Sequence, residues 1–111
     1  MIQRLRITFR GMQSSPSIED KIREYADRLN DLFDGIVGCH VVIDQQSQKH
    51  RHGNPFRARV DLHVPGKQII AESERAEPKN AAGAYEALHE AFDRAERQLL
   101  THRDHLRSHR A

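Results

Sequence analysis

The chain closes on RAERQLLTHRDHLRSHRA, residues 94–111. Arg94, Arg97, Arg103, Arg107 and Arg110 face only Glu96 and Asp104 there, with His102, His105 and His109 interleaved. Such an ending suits three purposes: a solvated helix end, a histidine metal stripe, or a row of cations laid along phosphates. His102 and His105 are one helical turn apart and His109 one turn further on, a spacing that can hold zinc or nickel. His50 and His52 form a second pair in HRH, but no carboxylate or cysteine accompanies them at ligand spacing. Histidine is equally a surface residue that gains charge beside phosphate. No metal and no other cofactor is expected.

Enzymatic arrangements are weaker still. The sequence holds no glycine-rich phosphate loop, nucleophile elbow or HExxH pair. Glu72 and Glu74 stand two apart and share a strand face, as paired carboxylates can, yet such residues more often solvate an edge or pair with neighbouring cations. Cys39 is the single cysteine. It excludes an intramolecular disulfide and a cysteine-based zinc site, and its inward position in an alternating stretch reads as a small core residue. No catalytic activity and no small-molecule substrate are expected.

These side chains need elements to hold them. Leu5, Ile7 and Phe9 alternate with Arg4, Arg6, Thr8 and Arg10, a half-buried strand with a basic outer face. Ser15 before Pro16 predicts a helix N-cap with proline in the first turn. Ile18, Ile22, Tyr25, Ala26, Leu29, Leu32 and Phe33 then follow at helical spacing, and Asp34-Gly35 is expected to stop that helix. Cys39, Val41 and Ile43 line a second strand that enters the loop QQSQKHRHGN. Phe56, Ala58, Val60, Leu62 and Val64 alternate with polar residues in a third strand. Pro65-Gly66 turns into a fourth, KQIIAESE, and RAEPKN is a polar linker. Ala84, Ala87, Leu88, Ala91, Phe92, Ala95, Leu99 and Leu106 keep helical spacing to near the end.

The order is β-α-β-β-β-α. Two amphipathic helices with one apolar stripe each need one sheet face to share, so the fold class is α+β, a four-stranded sheet with both helices on one face. The expected core is Leu5, Ile7, Ile22, Leu29, Val41, Ile43, Val60, Leu62, Leu88 and Phe92. At 111 residues the chain, 1–111, is one domain. Charged residues make up 31%, yet the net charge is only +2, so any polyanion site is a local patch. The opening MIQRLRITFR alternates rather than forming an apolar run, and no window suits a spanning helix. A cytoplasmic protein without membrane contact is expected.

Candidate phosphate-facing cations lie outside or beside the apolar stripes. On the first helix Arg23 and Arg28, with Lys21, stand among many carboxylates. On the last, Arg94, Arg97, His102, Arg103 and Arg107 qualify, with Lys79 near its start. Glu90–Arg94 and Asp93–Arg97 are spaced as i, i+4 pairs on a solvated face. Those pairs end at Asp104 while cations continue, which favours a phosphate-facing patch.

The strings IREYADRLNDLFDGI, VDLHVPG and YEALHEAFDRAERQLLTHRDHLR resemble the ribosome hibernation-promoting factor and protein Y family, also known as sigma-factor modulation proteins. The resemblance covers nearly the whole chain, and the closing helix is its most specific part. It implies a fold similar to a double-stranded-RNA-binding domain. It also implies a partner, the small ribosomal subunit and its rRNA, bound in the decoding groove so that messenger and transfer RNA are excluded and translation is silenced. The matching RNA-facing positions are Arg94, Arg97, Arg103 and Arg107, with Arg23 and Arg28 as weaker matches. AGAYEALH stands where the family carries a motif like DMYAAID. A regulatory protein-interaction domain that kept the fold without tight RNA contact is the alternative.

Overall fold

The structure is a computed structural model in which residues 4–45, 55–75 and 81–108 are described, Ala81 by its backbone alone. The elements run β1 (Leu5–Arg10), α1 (Pro16–Leu32), β2 (Gly38–Gln45), β3 (Phe56–Val64), β4 (Lys67–Arg75) and α2 (Ala81–Ser108). They form a single four-stranded sheet in the order β1-β2-β3-β4. β1 pairs parallel with β2, as the α1 crossover requires, and β2, β3 and β4 follow as an antiparallel meander. This is the expected β-α-β-β-β-α order.

Register sorts the side chains by face. Cys39, Val41 and Ile43 stand opposite Leu62, Val60 and Ala58, which in turn face Ile69, Ala71 and Ser73. All of these are buried, and along β3 every second residue alternates from buried to outward-facing. The buried face meets Ile18, Ile22, Ala26 and Leu29 of α1 and Ala84, Ala87, Leu88, Ala91, Phe92, Ala95 and Leu99 of α2 in one core. Both helices therefore share one sheet face. Leu5 and Ile7, expected in that core, are only half-buried. Among the described residues β1 is an edge strand, and one flank of each side chain stays uncovered.

Local chemistry sets the element ends. Ser15 is extended and its Oγ accepts from the Ile18 amide at 3.3 Å, with Pro16 in the first turn. The stop of α1 differs from the expected Asp34-Gly35 cap. The helix ends at Leu32, and Phe33 turns extended (φ −152°) while its amide still donates to the Leu29 carbonyl at 3.0 Å. That turn tucks the Phe33 ring against the core. A Cβ at Gly35 would lie 2.5 Å from the ring, so Gly35 makes room for the ring and does not adopt a left-handed cap. Gly66 does take positive φ (75°) behind Pro65 in the two-residue β3–β4 turn.

α2 spans 28 residues, about 42 Å of helix at 1.5 Å per residue. Its apolar contact ends at Leu99 and His102. Leu106, expected on the same stripe, is 44% exposed, because the helix has by then run past the sheet. Leu88 has no exposed surface, so Leu88→Ala should destabilise the fold by about 2–5 kcal/mol. A urea midpoint equal to that of the unsubstituted chain would contradict this packing.

Candidate nucleic-acid interface

The seam that fixes α2 is built largely of alanines. Ala84, Ala87, Ala91 and Ala95 are fully buried beside Leu88 and Leu99, and their small side chains let the helix backbone lie close to the sheet. Gln98 donates to the Ile70 carbonyl at 3.2 Å and Arg94 to that of Glu72, fastening the same helix to the outer edge of β4. α1 is tied to α2 across a groove of about 340 Å³. In it Tyr25 stacks on Phe92 with centroids 5.0 Å apart and is hydrogen-bonded to His89 Nδ1 at 3.2 Å. Arg28 Nε donates to Glu96 Oε1 at 2.8 Å over the groove.

On this frame the expected cations behave differently from one another. Arg94 pairs with Glu90 and Arg97 with Asp93, the anticipated i, i+4 contacts. The hydrogen bond from Arg97 is the main cause that holds the Asp93 carboxyl below its ordinary range and raises the Arg97 guanidinium. Arg28 is engaged with Glu96, and Arg23 stands 3.9 Å from Glu19 and 3.8 Å from Asp20. Arg107 is exposed and makes no ion pair among the described residues. Lys79, His50 and His52 lie outside the described residues.

Two positions depart from the outward orientation expected of them. His102 is 9% exposed, its ring 6.0 Å from that of Phe33, and its Nε2 is buried without a hydrogen-bond partner. It closes the end of the core and does not face solvent. Arg103 is half-buried. Its Nη1 donates to the Leu32 carbonyl at 3.4 Å, taking up one of the free carbonyls at the end of α1. Both residues hold the two helix ends together because Phe33 folds inward there. The histidine stripe is thereby split, with His102 inside and His105 exposed.

The open face of the sheet carries a second set of cations that helix patterns do not reveal. Arg6, Thr8 and Arg10 of β1 lie beside His40, Val42 and Asp44 of β2, and these lie beside Asp61, Arg59 and Arg57 of β3. Arg59 and Arg57 reach Glu72 and Glu74 on β4 at 3.8 and 3.1 Å. Glu72 and Glu74 thus pair with neighbouring cations. The signal for this face is the alternation of β1 and β3, whose polar phases are arginine-rich. Cys39, behind this face, is buried, and burial followed by the charge of Asp61 pushes its thiol up to about 12, so the thiolate needed for chemistry does not form near neutrality. Among the described residues no helix is long and apolar enough to cross a membrane, and no group of three His, Cys, Asp or Glu could hold a metal ion.

Comparison with known proteins agrees with this architecture. The family described as sigma 54 modulation protein / S30EA ribosomal protein matches residues 5–107. A ribosome hibernation promoting factor from Klebsiella oxytoca is 27% identical over 105 residues, covering 95% of this chain and 98% of the relative. The N-terminal domain of Thermus thermophilus protein Y superposes with a TM-score of 0.66 at 25% identity, over 88% of this chain and 93% of that domain. A ribosomal subunit interface protein from Coxiella burnetii shares the fold, with a TM-score of 0.72 at 17% identity over 92% and 99% of the two chains.

His40 gives the face a pH dependence. Its Nε2 is 2.8 Å from Thr8 Oγ1, and desolvation, then Arg6, lower its pKa from the ordinary 6.5, with Asp61 opposing. A lowered folded-state value means that the unfolded chain takes up the proton first. Stability from this site is complete above 6.5 and declines as pH falls through that value. Between about pH 7 and about pH 5.5, His40→Gln should lose less stability than the unsubstituted chain in thermal melts. Equal losses would show that His40 does not carry the effect. Fold, register and sequence together place this chain in the sigma 54 modulation protein / S30EA ribosomal protein family.

Proposed function

We propose that this chain is a ribosome hibernation factor that binds the small ribosomal subunit near the decoding groove, contacts its rRNA, and blocks messenger and transfer RNA under stress or in stationary phase. The observation that carries the reading is the match to the family over residues 5–107, together with the relative named for ribosome hibernation. The geometry supports it physically. α2 is a rigid rod anchored by its alanine seam, and a cation held on a rod loses less entropy on binding than one on a loose tail. Recognition of folded RNA by shape and phosphates needs such a surface and few base-reading side chains.

Arg94, Arg97 and Arg107 of α2, with Arg23 and Arg28 of α1, are the exposed contacts in this reading. Lys79 belongs with them by sequence. Arg103 contributes through its docked guanidinium, and His102 supports the helix end from inside. The carboxylate pairs of Arg94 and Arg97 do not oppose the assignment. Exposed i, i+4 pairs are worth only about 0.3–0.5 kcal/mol, and a phosphate can take the place of a carboxylate at the same guanidinium. A protein-interaction role in place of RNA binding is favoured by one feature, the carboxylates Asp20, Glu24, Asp27 and Asp31 exposed on α1.

Arg97→Ala combined with Arg107→Ala separates the two readings without touching the Arg103 tie. Thermal unfolding should hardly change, because both side chains are exposed. Co-sedimentation with small subunits should weaken, and the slope of log affinity against log salt should flatten by about 0.7–0.9 for each phosphate left without its arginine. Unchanged binding with an unchanged slope would instead support the interaction domain.

A further inference from the structure

The two edges of the sheet are finished differently. Along β4, Gln98 and Arg94 of α2 occupy the carbonyls of Ile70 and Glu72, and Arg75 pairs with Glu90 across the same edge. β1 has no such cover among the described residues. Its ladder to β2 begins with the Cys39 amide donating to the Arg4 carbonyl at 2.8 Å. The alternation of a parallel ladder then turns the amides and carbonyls of Leu5, Ile7 and Phe9 away from β2. These outward groups have no hydrogen-bond partner among the described residues.

Side chains flanking that free edge are sorted by face. On the helix-bearing side Leu5, Ile7 and Phe9 are half-buried, each with apolar surface uncovered. On the open side Arg6 and Arg10 are exposed and make no ion pair among the described residues, although Asp44 is the register neighbour of Arg10. We propose that the β1 edge docks an extended segment of another protein in which acidic and apolar residues alternate, added to the sheet as a fifth strand. Its backbone would complete the hydrogen bonds of Leu5, Ile7 and Phe9. Its apolar side chains would cover those three residues, and its carboxylates would lie over Arg6 and Arg10.

Arginines on an edge also guard against pairing, but this guard is selective. A second copy meeting β1 with its own β1 would set arginine against arginine, whereas an acidic strand is attracted. RNA would satisfy the arginines and leave the outward amides and the apolar flanks unused, which is why a peptide is the better fit. This inference is independent of the hibernation reading, since it uses none of the α2 arginines.

The test is a titration of the isotope-labelled chain with a synthetic peptide of alternating glutamate and valine, followed by amide hydrogen exchange. Exchange at Leu5, Ile7 and Phe9 should slow on binding, and a peptide with the same residues in separate glutamate and valine blocks should leave it unchanged. Arg6→Ala with Arg10→Ala, checked for an unaltered thermal transition, should weaken the alternating peptide about tenfold. The proposal is overturned if the three outward amides exchange as before at saturating peptide, or if the block peptide protects them equally. It is also overturned if single-stranded oligouridylate protects β1 while the alternating peptide does not, which would assign the edge to nucleic acid.

Discussion

The close contact between α2 and the sheet is the constraint on which the other features rest. Ala84, Ala87, Ala91 and Ala95 contribute no exposed surface and little bulk, and Leu88 and Leu99 share one buried core with Val60, Leu62 and Ile69. A helix held this closely keeps its outer residues at fixed positions. Arg94 and Gln98 are thereby brought within reach of the β4 carbonyls, Arg28 meets Glu96, and the last turns run past the sheet into solvent. Larger residues along the seam would lift the helix and disrupt all of these at once.

Much of this frame is legible in the sequence because it rests on periodicity. The alternation of β3, the Ser15-Pro16 start of α1 and the stripe from Ala84 to Leu99 each follow from which face is buried. What periodicity cannot convey is how an element is covered at its ends and edges. Leu5 and Ile7 have the pattern of a strand interior, yet among the described residues β1 has a neighbour on one side only. His102 falls at a flank of the stripe, and only the inward turn of Phe33 makes that flank an inside position. Arg103 reads as a free cation until the end of α1 is placed beside it. Leu106 keeps the spacing of a core residue after the core has ended.

The charge distribution follows the same logic. A net charge of +2 conceals arginines that are mostly engaged: Arg94, Arg97, Arg28 and Arg23 with carboxylates on the helices, Arg57 and Arg59 with Glu74 and Glu72 on the sheet. Under the proposed function, polyanion binding by such a surface would be an exchange of partners. Phosphates would replace the weak exposed pairs, so affinity would depend on several small gains and be sensitive to salt. Arg6, Arg10 and Arg107 begin without a partner to displace among the described residues.

The proposed function puts the far end of α2 along small-subunit rRNA in the decoding groove, a placement that directed hydroxyl-radical cleavage can read out. Ser108→Cys places a thiol at the tip of the helix for an iron–chelate probe, while Cys39, buried and with its thiol at about 12, stays unlabelled. If α2 lies there, strand breaks should be confined to small-subunit rRNA around the decoding groove and be suppressed by messenger and transfer RNA. Cleavage mapping elsewhere on the ribosome, or no cleavage from a chain that still co-sediments, would contradict it.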